Sequence, residues 1–209
     1  MFLVTGTDTG VGKTFVTSSL ISFLNRKGVK AVAYKIVETG CNPSCEDAEK
    51  LSEASGQKLF PVYVFKNPLA PAAASDIEGV EISIDKIVSK IKEISQKYDI
   101  AFFEGAGGIM VPITWNFNFL DLAKLLDMEV IVVALNKLGV LNHTLLTVKV
   151  CQVENVKVRG VILNTMGKFD ESVETNLHSL KKLLPNIPVV PFKNSPDACS
   201  CLKALSLIG

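Results

Sequence analysis

Residues 6–14 read GTDTGVGKT. A short apolar run, residues 2–4, precedes them. A helical pattern over 13–27 follows, with Val16, Leu20, Phe23 and Leu24 on one face and Gly28 at its stop. Strand, flexible turn and helix start form the setting of a phosphate-binding loop, where backbone N–H groups and the helix dipole meet an anion. Gly10 and Gly12 permit close backbone approach, Lys13 reaches the terminal phosphates, and the Thr14 hydroxyl suits Mg²⁺. The spacing carries one residue too many. The pattern G-x-x-x-x-G-K-[ST] puts the first glycine at position 7, but that residue is Thr7 and the glycine is Gly6.

Outward from the loop, apolar strands alternate with helical patterns to the end of the chain. Strands are expected over 31–35, 62–65, 100–103, 130–135, 158–163 and 189–190, and helices over 46–54, 84–96, 120–126, 143–152 and 171–184. Residues 66–79, KNPLAPAAASDIEG, read as loop, and EGAGG at 104–108 reads as a turn. The pattern predicts an α/β fold, a mostly parallel β-sheet flanked by helices on both faces and P-loop NTPase-like, in a single domain over 1–209. In such sheets ligands sit beyond the carboxyl ends of the strands, so the informative residues follow each strand.

A net charge of +1 gives no global electrostatic case for nucleic acid or a membrane surface. No apolar run approaches the ~18 residues of a membrane span. The start, MFLVTG, lacks a basic segment and cleavage site and reads as a buried strand. The five cysteines, Cys41, Cys45, Cys151, Cys199 and Cys201, are odd in number and fit a reducing, cytoplasmic setting with free thiols. Cys41 and Cys45 have a spacing that zinc sites use, but no histidine stands near them.

Lys35 ends the second strand and points into the loop's crevice or snorkels to the sheet edge. Glu104 ends the strand IAFF, where a carboxylate can hold Mg²⁺, and the glycines behind it admit a ligand. Asp47 opens a helix, a common place for an acid on dipole grounds alone. Gly139, Val140 and Leu141 precede a helix and offer a second anion site, unless Asn142 simply caps it. Asn164 closes the strand VILN and Thr165 follows it, and the Asn164 amide pairs a donor with an acceptor suited to a base edge. His143 and His178 have no triad-like setting.

Together GTDTGVGKT, YKIVETG, EGAGG with MVPIT, KLGVLNHTLLT and ILNT resemble the dethiobiotin synthetases, over nearly the whole chain. The long loop is that family's own variant. The resemblance implies an ATP- and Mg²⁺-dependent cyclo-ligase of biotin biosynthesis, acting on 7,8-diaminopelargonic acid and CO₂ through a carbamate and a carbamic-phosphoric anhydride. It implies Lys13 and Lys35 as catalytic cations, and Thr14, Asp47 and Glu104 as Mg²⁺ ligands. Gly10, Val11, Gly12, Lys13, Thr14, Phe15, Asp47, Glu104, Gly105, Ala106 and Gly107 would surround the nucleotide phosphates. Asn164, Thr165, Pro191, Phe192 and Lys193 would form the base pocket. Thr9, Gly10 and Thr39 would border the diamine. In the implied homodimer, Gly139, Val140, Leu141 and Asn142 of the partner chain would bind its carboxylate. The chain departs from the family at Ile36, where proline is usual, at Thr39, often serine, and at Gly10, sometimes glutamate. A cobyrinic-acid-type amide ligase would need room for a glutaminase domain. A partition-type ATPase would need a second lysine near Thr7 and Asp8.

Overall fold

The computed structural model describes residues 1–167 and 170–209. β1 (Phe2–Gly6) passes through the glycine loop into α1 (Lys13–Arg26). Then come β2 (Ala31–Lys35), β3 (Val37–Thr39), α2 (Glu46–Ser55), β4 (Tyr63–Phe65), α3 (Pro71–Glu78) and α4 (Ile84–Ser95). β5 (Ile100–Gly108) leads into the hairpin β6 (Pro112–Thr114) and β7 (Phe117–Asn118), followed by α5 (Phe119–Leu125). The chain closes with β8 (Glu129–Leu135), α6 (Val140–Val153), β9 (Val158–Asn164), α7 (Val173–Leu183), β10 (Val189–Phe192), a 3₁₀ turn at Ser195–Asp197 and α8 (Ala198–Ala204).

The central sheet runs β10-β9-β8-β1-β5-β2 with every neighbouring pair parallel. β1 lies inside it, so successive crossovers leave to opposite sides and open a crevice beyond the strand ends. Residues along β8 alternate between two cores. Val130, Val132 and Ala134 pack with Ile87 and Ile91 of α4 and Val148 of α6. Ile131 and Val133 pack with Leu20, Ile21 and Leu24 of α1 and Leu202 of α8. Coverage on both faces is why these strands read as unbroken apolar runs. Among the described residues no helix is long and apolar enough to cross a membrane.

The structure corrects four expectations. Residues 66–79 are not all loop, because α3 forms within them with Pro71 at its start. Proline at the first helical position is pre-organised and lacks only an N–H that has no helical partner there, and the alanines after it are the best helix formers. EGAGG is not a turn but the end of β5, still paired with β1 at Gly6 and Gly108. The missing side chain at Gly105 makes room for the Phe119 ring. Val62 is outside β4, which pairs with β3 rather than joining the main sheet.

Cys41 and Cys45 are not free thiols but a disulfide. The strap between β3 and α2 brings their Cα atoms to 4.6 Å, within bridging range. Spacing alone does not reveal that approach. Burial pushes the thiols of Cys151 and Cys201 up, to about 11 and about 12, which keeps both protonated and inert.

Candidate active site

The extra loop residue is absorbed by the strand. Thr7 N–H donates to the Val133 carbonyl at 3.0 Å, so β1's pairing with β8 continues past Gly6. A Cβ at Gly6 would lie 2.9 Å from Val11 Cγ2 and 3.0 Å from the Gly107 carbonyl, so only glycine lets the strand turn there. Gly12 caps α1 at φ 88°, a left-handed conformation, and its missing Cβ gives way to the Asn164 amide. No side chain caps α1, which leaves its leading N–H groups to an anion.

The charged centre lies beside this loop. Lys35, at the end of β2, places Nζ 2.6 Å from Asp47 Oδ2 and 2.8 Å from Glu104 Oε1. The Thr14 hydroxyl reaches the same two acids, at 2.7 Å to Asp47 Oδ1 and 2.9 Å to Glu104 Oε1. Register explains the meeting, because Lys35 and Glu104 are partners across β2 and β5. Burial opposes the Lys35 charge, but the two carboxylates outweigh it and hold its pKa above the ordinary lysine range. Burial likewise opposes the Asp47 anion, and Lys35 overrides it to leave the carboxyl below its usual range. Burial, and then the Lys35 charge, pull Lys13 down.

Thr9, Gly10, Gly12, Lys13, Thr14, Lys35, Thr39, Asp47, Ala106 and Gly107 all line one crevice of about 610 Å³, within the range of small-ligand sites. Other expected residues stand further out. Val11 is buried, and Gly105 lies under Phe119. Phe15 is exposed and meets the Phe192 ring edge-on, with centroids 5.6 Å apart. Phe192 itself is fully buried, whereas Pro191 and Lys193 are exposed. The Thr165 N–H donates to the Phe192 carbonyl. Asn164 Nδ2 donates to the Val11 carbonyl at 2.9 Å and to Met166 Sδ at 3.1 Å, while Oδ1 is buried without a partner among the described residues.

Gly139, Val140, Leu141 and Asn142 do not line this crevice. Gly139 itself is the residue before α6, without a side-chain cap, and Asn142 lies in the first turn, so Asn142 is not the N-cap. Asn142 instead borders a separate groove between α6 and α7.

Residues 1–194 match a family model described as an AAA domain. ATP-dependent dethiobiotin synthetase of Anaeromyxobacter dehalogenans is 38% identical over 98% of this chain and 95% of its own length. The Aquifex aeolicus protein of that name is 40% identical over 87% of this chain and 83% of its own. That of Methanocaldococcus jannaschii is 36% identical over 94% and 95%. The chain belongs to the dethiobiotin synthetase family. More distant solved structures share the fold. Chloroplast FtsY of Physcomitrella patens has a TM-score of 0.56 at 19% identity, covering 98% of this chain and 64% of that one. The hydrogenase maturation factor HypB of Archaeoglobus fulgidus has 0.56 at 15%, covering 98% and 88%.

In this family member the donor set of Thr14, Asp47 and Glu104 is all oxygen, the chemistry that suits Mg²⁺. Among the described residues Glu104 Oε2 is buried without a hydrogen-bond partner, as expected of an oxygen built for a cation. The set therefore fits the ion.

Pro68, Leu69, Ala70, Val111 and Glu38 also line the crevice and were not expected from the sequence. Glu38 carried a readable signal, an acid inside an apolar strand. The Pro68–Ala70 wall had none, since it depends on α3. Glu38 lies within 4.8 Å of the Cys41 and Cys45 sulfur atoms. Both sulfurs are spent in the disulfide and both Glu38 oxygens accept backbone N–H groups, so these three do not form a metal site.

Proposed function

We propose that this protein is an ATP-dependent dethiobiotin synthetase, one domain over 1–209 and a cytoplasmic homodimer. It would convert 7,8-diaminopelargonic acid, CO₂ and ATP to dethiobiotin, ADP and phosphate. The observation that carries this reading is the meeting of Lys13, Lys35, Thr14, Asp47 and Glu104 at the glycine loop. Family membership supplies the substrate.

The chemistry requires no protein nucleophile. One amine adds to CO₂ and loses a proton, giving a carbamate. A carbamate oxygen then attacks the terminal phosphorus, and the bond to the bridging oxygen of ADP breaks. The second amine attacks the carbonyl carbon of the mixed anhydride, phosphate leaves, and the cyclic urea closes. Two anions must meet in the middle step, so the protein's task is to neutralise and align them. Lys13 and Lys35 provide the positive charge. The leading N–H groups of α1 and the loop from Gly10 to Phe15 cradle the phosphates, facing Gly105, Ala106 and Gly107. Mg²⁺, when bound, would offset phosphate charge, held by Thr14, Asp47 and Glu104.

Thr9 and Thr39 offer hydroxyls to the diamine beside Gly10. Asn164 Oδ1 accepts from the exocyclic amine of adenine, with Thr165, Pro191, Phe192 and Lys193 around the base. The substrate carboxylate goes to Gly139, Val140, Leu141 and Asn142 supplied by a second copy of the chain. Leu138, Leu146 and Val153 support that role, since all three leave apolar surface exposed at α6.

The test is to incubate the protein with ATP, Mg²⁺, bicarbonate and the diamine and to assay dethiobiotin. Absence of product, with ATP hydrolysis unmoved by the diamine, overturns the reading. Full activity in a strictly monomeric preparation overturns the shared site.

A further inference from the structure

The helix that carries Asp47 is capped from a distance. α2 starts at Glu46, and Cys45 before it provides no side-chain cap. Helix starts leave N–H groups that need acceptors. Here the Asp47 and Ala48 N–H groups both donate to the Glu38 carboxylate, at 2.8 Å each, one to each oxygen. Glu38 belongs to β3, on the other side of the Cys41–Cys45 strap, and is 5% exposed. Its negative charge also sits where the helix dipole favours it. One side chain thus ties the backbone at Asp47 to the strand residue directly before Thr39. The Asp47 carboxylate held this way reaches Lys35 and Thr14.

We propose that Glu38 is a positioning residue that sets the start of α2, fixes Asp47 toward Thr14 and Glu104, and thereby governs how tightly the site takes its divalent cation. Without Glu38, the Asp47 and Ala48 N–H groups lose their acceptor and the first turn of α2 frays. Asp47 then samples positions away from Thr14. The inference rests on the cation role given to Asp47 above.

The experiment compares wild type, Glu38→Ala, Glu38→Gln and Asp47→Asn. Amide hydrogen exchange is followed across α2, and ATP binding is measured calorimetrically in chelator and over a Mg²⁺ titration. Glu38→Ala should speed exchange at Asp47 and Ala48 by about tenfold or more. It should raise the Mg²⁺ needed for half-maximal tightening of ATP binding by about tenfold, with ATP binding in chelator unchanged. Glu38→Gln, which keeps one acceptor oxygen, should fall between the two, and it carries the comparison if the alanine variant does not fold. Asp47→Asn should raise the Mg²⁺ requirement while leaving Ala48 protected. Unchanged exchange in the Glu38 variants overturns the cap. Faster exchange with an unchanged Mg²⁺ requirement overturns the link to Asp47. Wild-type ATP binding that ignores Mg²⁺ altogether overturns the cation reading itself, and would leave the exchange result as a separate, structural outcome.

Discussion

Removing the charge of Lys35 probes the centre of the site most directly. Lys35→Met keeps the length and apolar stem but deletes the ammonium that sits 2.8 Å from Glu104 Oε1. The Glu104 side chain is 0% exposed. In the variant its remaining partner among the described residues is the Thr14 hydroxyl, because Oε2 has none even in the native protein. Breaking a buried pair on one side costs about 3–5 kcal/mol, because an uncompensated charge stays behind. Asp47, with its side chain 37% exposed, is screened by solvent and adds little. The expected loss is therefore about 3 kcal/mol, at the lower end of that range and carried by Glu104. Urea denaturation in chelator measures it. Lys35→Met/Glu104→Gln removes the stranded charge and should regain more than half of the loss. Dethiobiotin formation by Lys35→Met should fall about a hundredfold or more, as when one preorganised charge-stabilising group is lost. A loss under about 1 kcal/mol, or a double variant no more stable than the single, refutes the argument that this buried pair organises the site.

Three further outcomes follow from the same geometry. Burial, and next the Lys35 charge, hold Lys13 below the ordinary lysine range. Between its folded and unfolded pKa the folded protein binds fewer protons than the unfolded chain, so stability rises with pH across that alkaline window. Polyphosphate restores the charge, so ATP binding in the alkaline window below the ordinary lysine pKa should take up a proton in wild type and not in Lys13→Met, read as a dependence of binding heat on buffer ionisation; equal heats in all buffers across that window refute it. Asn164→Ala removes both the brace to the Val11 carbonyl and the Oδ1 acceptor, so ATP affinity should fall about tenfold and the preference for ATP over GTP should shrink; an unchanged preference removes Asn164 from base reading. Thr9→Val should raise the KM for the diamine more than that for ATP, and the reverse pattern refutes the assignment of Thr9 to the second substrate.

The parts of the site legible in the sequence are those fixed by local rules. A phosphate loop is contiguous, and its strand and helix announce themselves by apolar spacing. Lys35 and Glu104 are legible for a second reason: each closes an apolar run, and parallel register sets the two side by side, although β5 itself continues to Gly108. What the sequence hides is long-range. Asp47 looks like any acid at a helix start until Lys35 is seen 2.6 Å away. α3 hides because its buried stripe, Ala72 and Ala74, is too small to give a hydrophobic period. The Cys41–Cys45 bridge hides because the strap's path, rather than the cysteine spacing, brings the two residues together. Phe192 enters the base pocket only through the family resemblance, and nothing local in the sequence shows that its ring is buried edge-on beneath Phe15.

The long glycine loop gains a physical meaning from the pairing of Thr7 with Val133. If the extra residue were simply slack in the loop, the phosphate cradle itself would be distorted. Instead it lengthens β1 by one bond of sheet pairing, and the loop after it keeps its glycines at Gly10 and Gly12 and its lysine at the helix start. The consequence falls on Asp8 and Thr9, which are carried one step further out of the sheet. The Asp8 carboxylate accepts the Thr9 N–H at 2.7 Å, which stiffens the tip. The Thr9 hydroxyl then lies 3.4 Å from where a Cβ at Gly107 would stand, on the side of the crevice walled by Val111. With Thr9 assigned to the diamine as proposed above, phosphate chemistry and the second substrate would be separated along one short loop. The extra residue, taken up in the Thr7 pairing, would then be what extends the loop toward the second.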